Sequence, residues 1–210
     1  MAEYLILKLK GAMQAWGGHT YEDYRPSLAF PTRSGLLGLL GACLGIKRSQ
    51  LDKQQALDKS FRFAVRADKR ELTTKKLVDF HTVEGVVKID GSTTDYPVVT
   101  RREYLLDAEF TIAIEFLPGA TYNLATIKQA LAKPIFTPFL GRRSCLLSRP
   151  LFEAQLTSNT LEEALSQIEP KVGVIYSEIP TFDNKVLIVR DKPLLNGKRQ
   201  FHDRKVYVKH

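Results

Sequence analysis

The segment Arg25–Arg48, with the sequence R-P-S-L-A-F-P-T-R-S-G-L-L-G-L-L-G-A-C-L-G-I-K-R, places a basic, proline-framed turn directly before a glycine-rich apolar stretch. We expect a helix over residues 34–46 with Ser34 as its N-cap, because a serine hydroxyl accepts hydrogen bonds from a first helical turn. Arg33 would lie at the mouth of this helix, where unpaired N–H groups and the helix dipole attract anions. A helix that is simply buried on a sheet is the alternative interpretation.

Small residues recur along the same helix, at Gly38, Gly41, Ala42 and Gly45. Each glycine costs a helix about 1 kcal/mol relative to alanine. Close approach of the helix backbone to another element is the expected gain. The leucines between the glycines should face the core.

The flanking segments carry the hydrophobic periodicities of strands and helices. Residues 3–10, 60–66 and 105–117 alternate as strands, and residues 123–132 repeat as an amphipathic helix. Residues 135–147 read as an extended segment with a turn. Together with the glycine-rich helix, the order is strand, helix, strand, strand, helix, strand, which is typical of ferredoxin-like folds.

The remaining residues are predicted to form a small extension. It contains a short acidic helix and three strands, placed at 158–168, 172–177, 185–190 and 204–209. We therefore predict an α+β fold, with a ferredoxin-like domain over 1–150 and a β-rich C-terminal extension over 151–210 packed on the first.

A polar insertion at residues 67–104 interrupts the predicted domain. Val83–Ile89 and Val98–Tyr104 could pair as a hairpin that projects from the sheet. A mobile surface loop is the alternative. Insertions of this length inside compact domains are often functional.

Charge is distributed unevenly along the chain. Its 31 lysines and arginines and 23 aspartates and glutamates give a net charge of +8, with a pI of about 9.4. Both ends are basic, and an acidic block lies between them at residues 151–184. This balance favours a polyanionic partner, and the two basic ends would form one positive face if they meet.

Targeting and membrane signals are absent from the sequence pattern. Met1–Lys10 alternates as a strand rather than as a signal peptide. The longest apolar run, Leu36–Ile46, is far shorter than the ~20 residues that span a bilayer. Cys43 and Cys145, the two cysteines, suggest no disulfide framework. We expect a reduced, cytoplasmic protein.

Metal and cofactor motifs are also lacking. The four histidines, at 19, 81, 202 and 210, show no metal-ligand spacing. No glycine-rich phosphate-binding motif follows the first strand. We therefore expect no metal and no cofactor.

Three basic motifs could contact nucleic acid. Gly141-Arg142-Arg143-Ser144 joins a glycine, which lets a ligand approach the backbone, to two arginines that suit phosphate geometry. Arg101-Arg102-Glu103-Tyr104 and the stretch from residue 198 to 205 interleave charge with aromatic rings, as single-strand binders do. Each signal is weak alone, since a solvated turn, a structural ion pair and a charged strand edge explain them equally well.

His81, in the sequence Asp79-Phe80-His81, could serve as a general base for RNA cleavage. A single histidine in a polar insertion is more often an ordinary surface or structural residue.

Long sequence blocks carry a resemblance to a known family. They are Y-L-I-L-K-L-K-G-A-M-Q-A-W-G at 4–17, F-P-T-R-S-G-L-L-G-L-L-G-A-C-L-G-I at 30–46, F-A-V-R at 63–66, D-F-H-T-V at 79–83, R-E-Y-L-L-D-A at 102–108, F-L-G-R-R-S-C at 139–145, I-Y-S-E at 175–178, R-Q-F at 199–201 and V-Y-V at 206–208. Through nearly its whole length the chain resembles the CasD family of type I-E CRISPR Cascade subunits.

The resemblance implies a non-catalytic, RNA-recognition-like subunit with a thumb hairpin within residues 78–104. It implies binding of the 5′ handle of the CRISPR RNA, contacts to the Cascade backbone subunit and large subunit, and indirect contact with target DNA in antiviral defence. No membrane is implied. The residues expected to bind RNA are Gln14, Trp16, Arg33, Ser34, Arg62, His81, Arg101, Arg102, Tyr104, Arg142, Arg143 and Arg199.

Two alternatives remain open at this point. One is a metal-independent endoribonuclease that processes CRISPR repeat RNA, with His81 and Tyr104 as its acid–base groups. The other is a general ferredoxin-like RNA-binding module without preference for one handle sequence.

Overall fold

The computed structural model describes residues 1–68, 75–88, 90–180, 185–196 and 199–210. Within these ranges the chain forms four helices: α1 (Arg33–Cys43), α2 (Leu51–Ser60), α3 (Leu124–Ala132) and α4 (Leu161–Ser166). The strands are β1 (Ala2–Lys10), β2 (Met13–Gln14), β3 (Trp16–Gly17), β4 (Tyr24–Arg25), β5 (Ser27–Leu28), β6 (Phe61–Ala67), β7 (Lys76–Val83), β8 (Val98–Leu106), β9 (Glu109–Phe116), β10 (Phe152–Ser158), β11 (Val174–Ser177), β12 (Lys185–Leu195) and β13 (Arg199–Lys209).

Seven of these strands form one sheet in the order β10-β1-β9-β6-β11-β13-β12, and every neighbouring pair is antiparallel. β1 lies between β10 and β9. Because successive side chains of a strand point to opposite faces of the sheet, β1 contributes residues to a core on each face. Leu5, Leu7 and Leu9 join the larger core with α1 and α3, whereas Tyr4 and Ile6 face the other way. The result is a mixed α/β fold dominated by antiparallel sheets, in agreement with the predicted α+β class.

The second sheet face is covered by α4. Its Leu161, Ala164 and Leu165 are buried against residues from the middle strands of the sheet. Arg66 lies on this face and is only 1% exposed, with its Nε 2.7 Å from Asp68 and one guanidinium N–H donated to the Leu165 carbonyl. This part of the sheet therefore offers no open platform for a ligand.

The helix α1 begins one residue earlier than the sequence predicted, and its N-cap is Thr32 rather than Ser34. The Thr32 hydroxyl accepts a hydrogen bond from the Gly35 N–H at 3.2 Å. Threonine and serine are both good caps, and the observed start is set by the extended backbone of Thr32.

Close packing is confirmed at one of the expected glycines and also occurs at Gly35, which was not expected. A Cβ at Gly45, where φ is +71°, would lie 2.8 Å from the Ile135 side chain, and a Cβ at Gly35 would lie 2.8 Å from the Trp16 ring. Gly38 is exposed with nothing within 4 Å of a built Cβ, so the packing expected there is wrong. Gly41 makes only ordinary contact, with Leu57.

Several predicted elements differ from the observed ones. The strand after α3 is β10, whereas residues 135–147 contain no strand. The predicted strand over 105–117 is split between β8 and β9 at Asp107, which has a φ of +49°. The helix α2 was not anticipated, because its sequence between Leu51 and Ser60 has little apolar periodicity.

A long antiparallel hairpin joins β7 to β8, with Lys76 opposite Leu105 and Val83 opposite Val98. The sequence placed the first of these strands at 83–89, some residues too late. Residue 89 lies outside the described ranges, and Val87 forms an isolated bridge with Thr93. β8 also pairs with β2 and, in parallel, with β4, so the base of the hairpin is built into a second sheet.

Candidate nucleic-acid interface

A groove of about 900 Å³ lies between the β7–β8 hairpin and the turn at residues 139–144. Five of the residues predicted to bind RNA line it: His81, Arg102, Tyr104, Arg142 and Arg143. They come from three separate sequence motifs, which the fold brings to one place. We call this surface the hairpin groove.

Strand alternation selects which hairpin side chains enter the hairpin groove. Leu77 lies opposite Tyr104, and Asp79 lies opposite Arg102. Each of these four residues lines the groove, because paired residues in an antiparallel ladder share a face. Arg101 belongs to the other face, where its Nε is 4.0 Å from an Asp23 carboxylate oxygen.

The turn that closes the groove requires a glycine. Gly141 has a φ of +87°, and a Cβ there would collide with the Ala15 carbonyl oxygen. Backbone hydrogen bonds fix the turn further, with the Ala15 N–H donating to Leu140 at 3.1 Å and the Cys145 N–H donating to Arg142 at 2.8 Å. The turn is thus locked against the 13–17 segment.

Gln14 and Trp16 support this turn from inside the protein. Both are 0% exposed. The Gln14 amide donates to the Ala108 carbonyl at 2.7 Å, and its oxygen accepts from the Trp16 indole N–H at 3.1 Å. Their side chains have no free surface for a base, so the predicted RNA contact is replaced by a structural role.

Arg142 and Arg143 differ although they are neighbours. The Arg142 guanidinium lies 4.8 Å from the centre of the Tyr104 ring and donates to the carbonyl oxygens of Glu103 and Arg25, at 3.4 and 3.1 Å. It therefore connects the turn, the hairpin and β4. Arg143 is exposed and lines the groove.

Glu103 anchors the base of the hairpin beneath these arginines. Its carboxylate accepts hydrogen bonds from the Tyr24 hydroxyl, from the Ser27 N–H at 3.0 Å and from Lys76 at 2.9 Å. Burial opposes ionisation of this carboxyl, but the hydrogen bonds outweigh it and lower the pKa of Glu103 below its ordinary value. Glu103 is therefore a charged structural residue.

Arg48 also lines the hairpin groove, and it was not among the predicted residues. It is exposed and follows the end of α1. The adjacent basic pair Lys47-Arg48 was visible in the sequence, but its position opposite the hairpin depends on the tertiary fold. Arg48, Arg102, Arg142 and Arg143 give the groove a strongly positive lining, against one carboxylate, that of Asp79, among the described residues that line it.

His81 is half-buried on the groove face of β7, with its Nδ1 3.6 Å from an Asp79 carboxylate oxygen. Tyr104 is 6% exposed and lies under Arg142. The arrangement gives one histidine–carboxylate pair beside the arginines.

The helix entrance at Arg33 is occupied by the protein's own carboxylates. The Arg33 N–H donates to Asp191 at 2.8 Å, and its guanidinium lies 2.8 Å from both Asp58 and Glu178. Arg33 is 7% exposed. The anion that the helix dipole favours is therefore Asp191, and the Arg33 guanidinium is occupied by Asp58 and Glu178. Ser34 is half-buried beside the Thr32 cap.

Two further predicted residues lie away from the hairpin groove. Arg62 is on the α4-covered side of the sheet, half exposed, with its guanidinium 3.7 Å from Glu115. The backbone of Arg199 begins β13 opposite Leu195 in β12. The side chain of Arg199 falls outside the described part of the chain.

The described ranges contain no group of three or more histidine, cysteine, aspartate or glutamate side chains that could hold a metal ion. No helix there is long and apolar enough to cross a membrane.

Comparison with known proteins identifies relatives along the whole chain. Residues 4–207 match the family described as CRISPR-associated protein (Cas_Cas5). The CRISPR system Cascade subunit CasD of Escherichia coli (strain K12) is 45% identical over 215 residues, covering 99% of this chain and 96% of that protein.

Solved structures agree with this match. A chain of a CRISPR RNA-guided surveillance complex superposes with a TM-score of 0.75 at 29% identity, covering 98% of this chain and 89% of its own. A crystal structure of a Cas protein gives a TM-score of 0.61 at 26% identity, with 98% and 92% covered. The sequence match, the fold and the long shared blocks lead to one conclusion: the chain belongs to the Cas5 family of CRISPR-associated proteins.

Proposed function

We propose that this protein is a non-catalytic subunit of a CRISPR RNA-guided surveillance complex that holds the 5′ handle of the CRISPR RNA in the hairpin groove. The observation that carries the proposal is the convergence of four arginines on one open groove. The relatives support the setting, since one is named as a Cascade subunit and another comes from a CRISPR RNA-guided surveillance complex.

The groove has the chemistry that single-stranded RNA requires. Arg48 and Arg143 are exposed in the groove. The guanidinium group of an arginine suits phosphate, because its planar fork of N–H donors can contact two phosphate oxygens at once. Phe139 and Leu77 add apolar surface at the same place, where a splayed base could pack. Of the five predicted residues at the groove, we assign Arg102 and Arg143 to phosphates and Arg142 to holding the groove in shape.

The topology supports a ferredoxin-like domain within this fold. The order β10-β1-β9-β6 is antiparallel throughout, with α1 between β1 and β6 and α3 between β9 and β10. That arrangement is a β-α-β-β-α-β unit. We propose that the β7–β8 hairpin is the thumb inserted in it, and that residues 151–210 extend it, with β10 completing the unit and β11–β13 widening its sheet.

The remaining partners follow from the same proposal. A subunit that caps one end of the CRISPR RNA would contact the neighbouring Cascade backbone subunit and the large subunit, and would meet target DNA only through the complex. Such an assembly works in the cytoplasm, where its RNA is made.

A direct test uses fluorescence anisotropy with a labelled RNA of the repeat-derived 5′ handle. Arg143→Ala should weaken binding and lower the salt slope by about 0.7 for one lost single-strand phosphate contact. The double variant Arg142→Ala, Arg143→Ala should weaken it further. The matched control is Lys171→Ala, which removes one charge outside the groove. Unchanged affinity and slope in the double variant would contradict the proposal.

A metal-independent endoribonuclease is the second candidate, favoured by the His81–Asp79 pair in the groove. Incubation of the purified protein with labelled repeat RNA in EDTA separates the two functions. A single defined cut that disappears in His81→Ala would establish the nuclease. RNA that is bound but left intact by both proteins supports the structural role.

A further inference from the structure

The sheet side that α4 covers continues beyond the helix onto β12 and β13. Val186 lies opposite Tyr207, and Ile188 lies opposite Lys205, so these four residues share one face of the hairpin. Val186 is 46% exposed and Ile188 is 64% exposed. We call this surface the β12–β13 face.

The reverse side of the same two strands is built differently. Val189 and Val206 are 8% and 1% exposed and belong to the larger core. Asp191 and Arg204 pair on this side, near the start of α1. The strands are therefore fully supported from behind, and the exposed aliphatic side chains on the other face are not needed to hold them in place.

The β12–β13 face combines an apolar centre with a basic rim. Arg190, Lys205 and Lys209 are exposed around Val186 and Ile188. Asp203 lies opposite Arg190 and Glu162 lies 2.9 Å from Lys209, so among these rim residues three cations face two carboxylates. The C-terminal residues 185–210 contain two acidic side chains, Asp191 and Asp203, and Asp191 is buried in the ion pair with Arg204. A binding partner with matching chemistry would be apolar in its centre and acidic at its edges.

We propose that the β12–β13 face docks an acidic, aliphatic segment of another protein subunit of the complex. Exposed aliphatic patches on supported strands mark protein contacts. Single-stranded nucleic acid prefers exposed aromatic rings to stack on, whereas the exposed side chains at the centre of this face are aliphatic and its aromatic residue, Tyr207, is half-buried. None of these residues lines the hairpin groove, so protein docking and RNA binding would use separate surfaces.

This inference rests on the proposed assembly into a multi-subunit complex, and the experiment separates the two. The chain is co-expressed with the other subunits of its complex and with CRISPR RNA, purified through a tag on this chain, and its composition is measured by native mass spectrometry. The variant is Ile188→Glu with Lys205→Glu, and the matched control is Ile188→Val, which keeps the apolar centre.

The double variant should lower the recovery of one protein subunit about tenfold, because it places two acidic groups against an acidic partner. The control should retain that subunit. Handle RNA affinity and the thermal unfolding midpoint of the isolated chain should be the same in all three proteins, since Ile188 and Lys205 are exposed.

A photo-crosslinking amino acid in place of Ile188 then identifies what lies there. Capture of a peptide from another subunit, with aspartate or glutamate beside aliphatic residues, supports the inference. An unchanged complex with the double variant, or a crosslink to RNA or to a second copy of this chain, overturns it. If the unmodified chain recovers no other subunit, the proposed function itself is wrong.

Discussion

The entrance of α1 and the hairpin groove are both arginine-rich, yet only one of them is open. At the helix entrance, Arg33 is enclosed by Asp58, Glu178 and Asp191. At the groove, Arg143 and Arg48 are exposed, with one nearby carboxylate, that of Asp79. A basic motif therefore marks a ligand site only where the chain does not supply the anion itself.

The largest expected effect would come from breaking the closed site. Arg33→Ala removes the cation shared by the partly buried carboxylates of Asp58 and Glu178, and leaves Glu178 with Arg204 at 3.4 Å. The loss should cost about 3 kcal/mol in the free energy of unfolding. Urea denaturation measures this. Arg143→Ala is the control from the open site and should change stability by less than about 0.5 kcal/mol. If the two variants are equally stable, Arg33 is not a structural cation in the way proposed, and the difference between the helix entrance and the hairpin groove is contradicted.

Gly141→Ala should damage the open site through its backbone. A Cβ at φ +87° collides with the Ala15 carbonyl, so we expect a loss of at least about 1–3 kcal/mol in stability, together with weaker RNA binding. Gly119→Ala is a matched control, since Gly119 has a φ of +74° but open space around a Cβ. If both variants bind RNA equally well, the turn does not shape the groove.

Acid should weaken the support beneath the groove. The pKa of Glu103 is lowered in the folded protein, so its stabilising contribution is present above the ordinary glutamate pKa of about 4.3 and is lost as the pH falls through the lower folded value. Glu103→Gln should cost about 1–3 kcal/mol at neutral pH and flatten the acid limb of a stability–pH curve. An unchanged acid limb would contradict this assignment.

Arg142→Lys tests whether the two adjacent arginines have different roles. Lysine keeps the charge but cannot reach two carbonyl oxygens and an aromatic ring together. We expect severalfold weaker RNA binding, about 1 kcal/mol, with the salt slope unchanged. Arg143→Lys should bind almost normally. A reduced slope in Arg142→Lys would assign Arg142 directly to a phosphate.

The smallest effect concerns the helix between the two sites. Gly38→Ala should stabilise the isolated protein by up to about 1 kcal/mol, because Gly38 is exposed and has no atom near a built Cβ. Gly35→Ala should destabilise it, since its Cβ would press on the Trp16 ring at 2.8 Å. The thermal unfolding midpoints of both variants test this. A midpoint that falls in Gly38→Ala would show that packing within the isolated protein does require glycine at position 38.

Local patterns predicted the parts of the fold that depend on neighbouring residues. The alternation of residues 3–10 correctly predicted the strand β1, whose Leu5 and Leu7 lie in one core and whose Tyr4 lies in the other. The amphipathic repeat at 123–132 matched α3, which Asn123 caps. In the candidate site, the turn at Gly141 was predicted from its residue types, because glycine permits backbone conformations that other residues rarely adopt.

Contacts between residues far apart in the sequence determine which of the predicted site residues are buried, and local sequence patterns do not show these contacts. Arg33 is paired with residues 145 and 158 positions away, Glu178 and Asp191, so its burial left no local signal. Trp16 was expected to bind RNA because aromatic rings stack on bases, but its position under Gly35 and beside Gln14 is a product of tertiary packing. Arg48 reaches the groove for the same reason.

The pairing of Arg33 with Asp191 also has a consequence for synthesis of the protein. Chains emerge from the ribosome with their N-terminal end first, and domains fold as units. The first backbone N–H of α1 gains its carboxylate acceptor only when β12, near the end of the chain, has been made and has joined the sheet. A nascent or truncated chain that stops before Asp191 keeps the Asp58 and Glu178 partners of the Arg33 guanidinium but lacks the acceptor at the start of the helix.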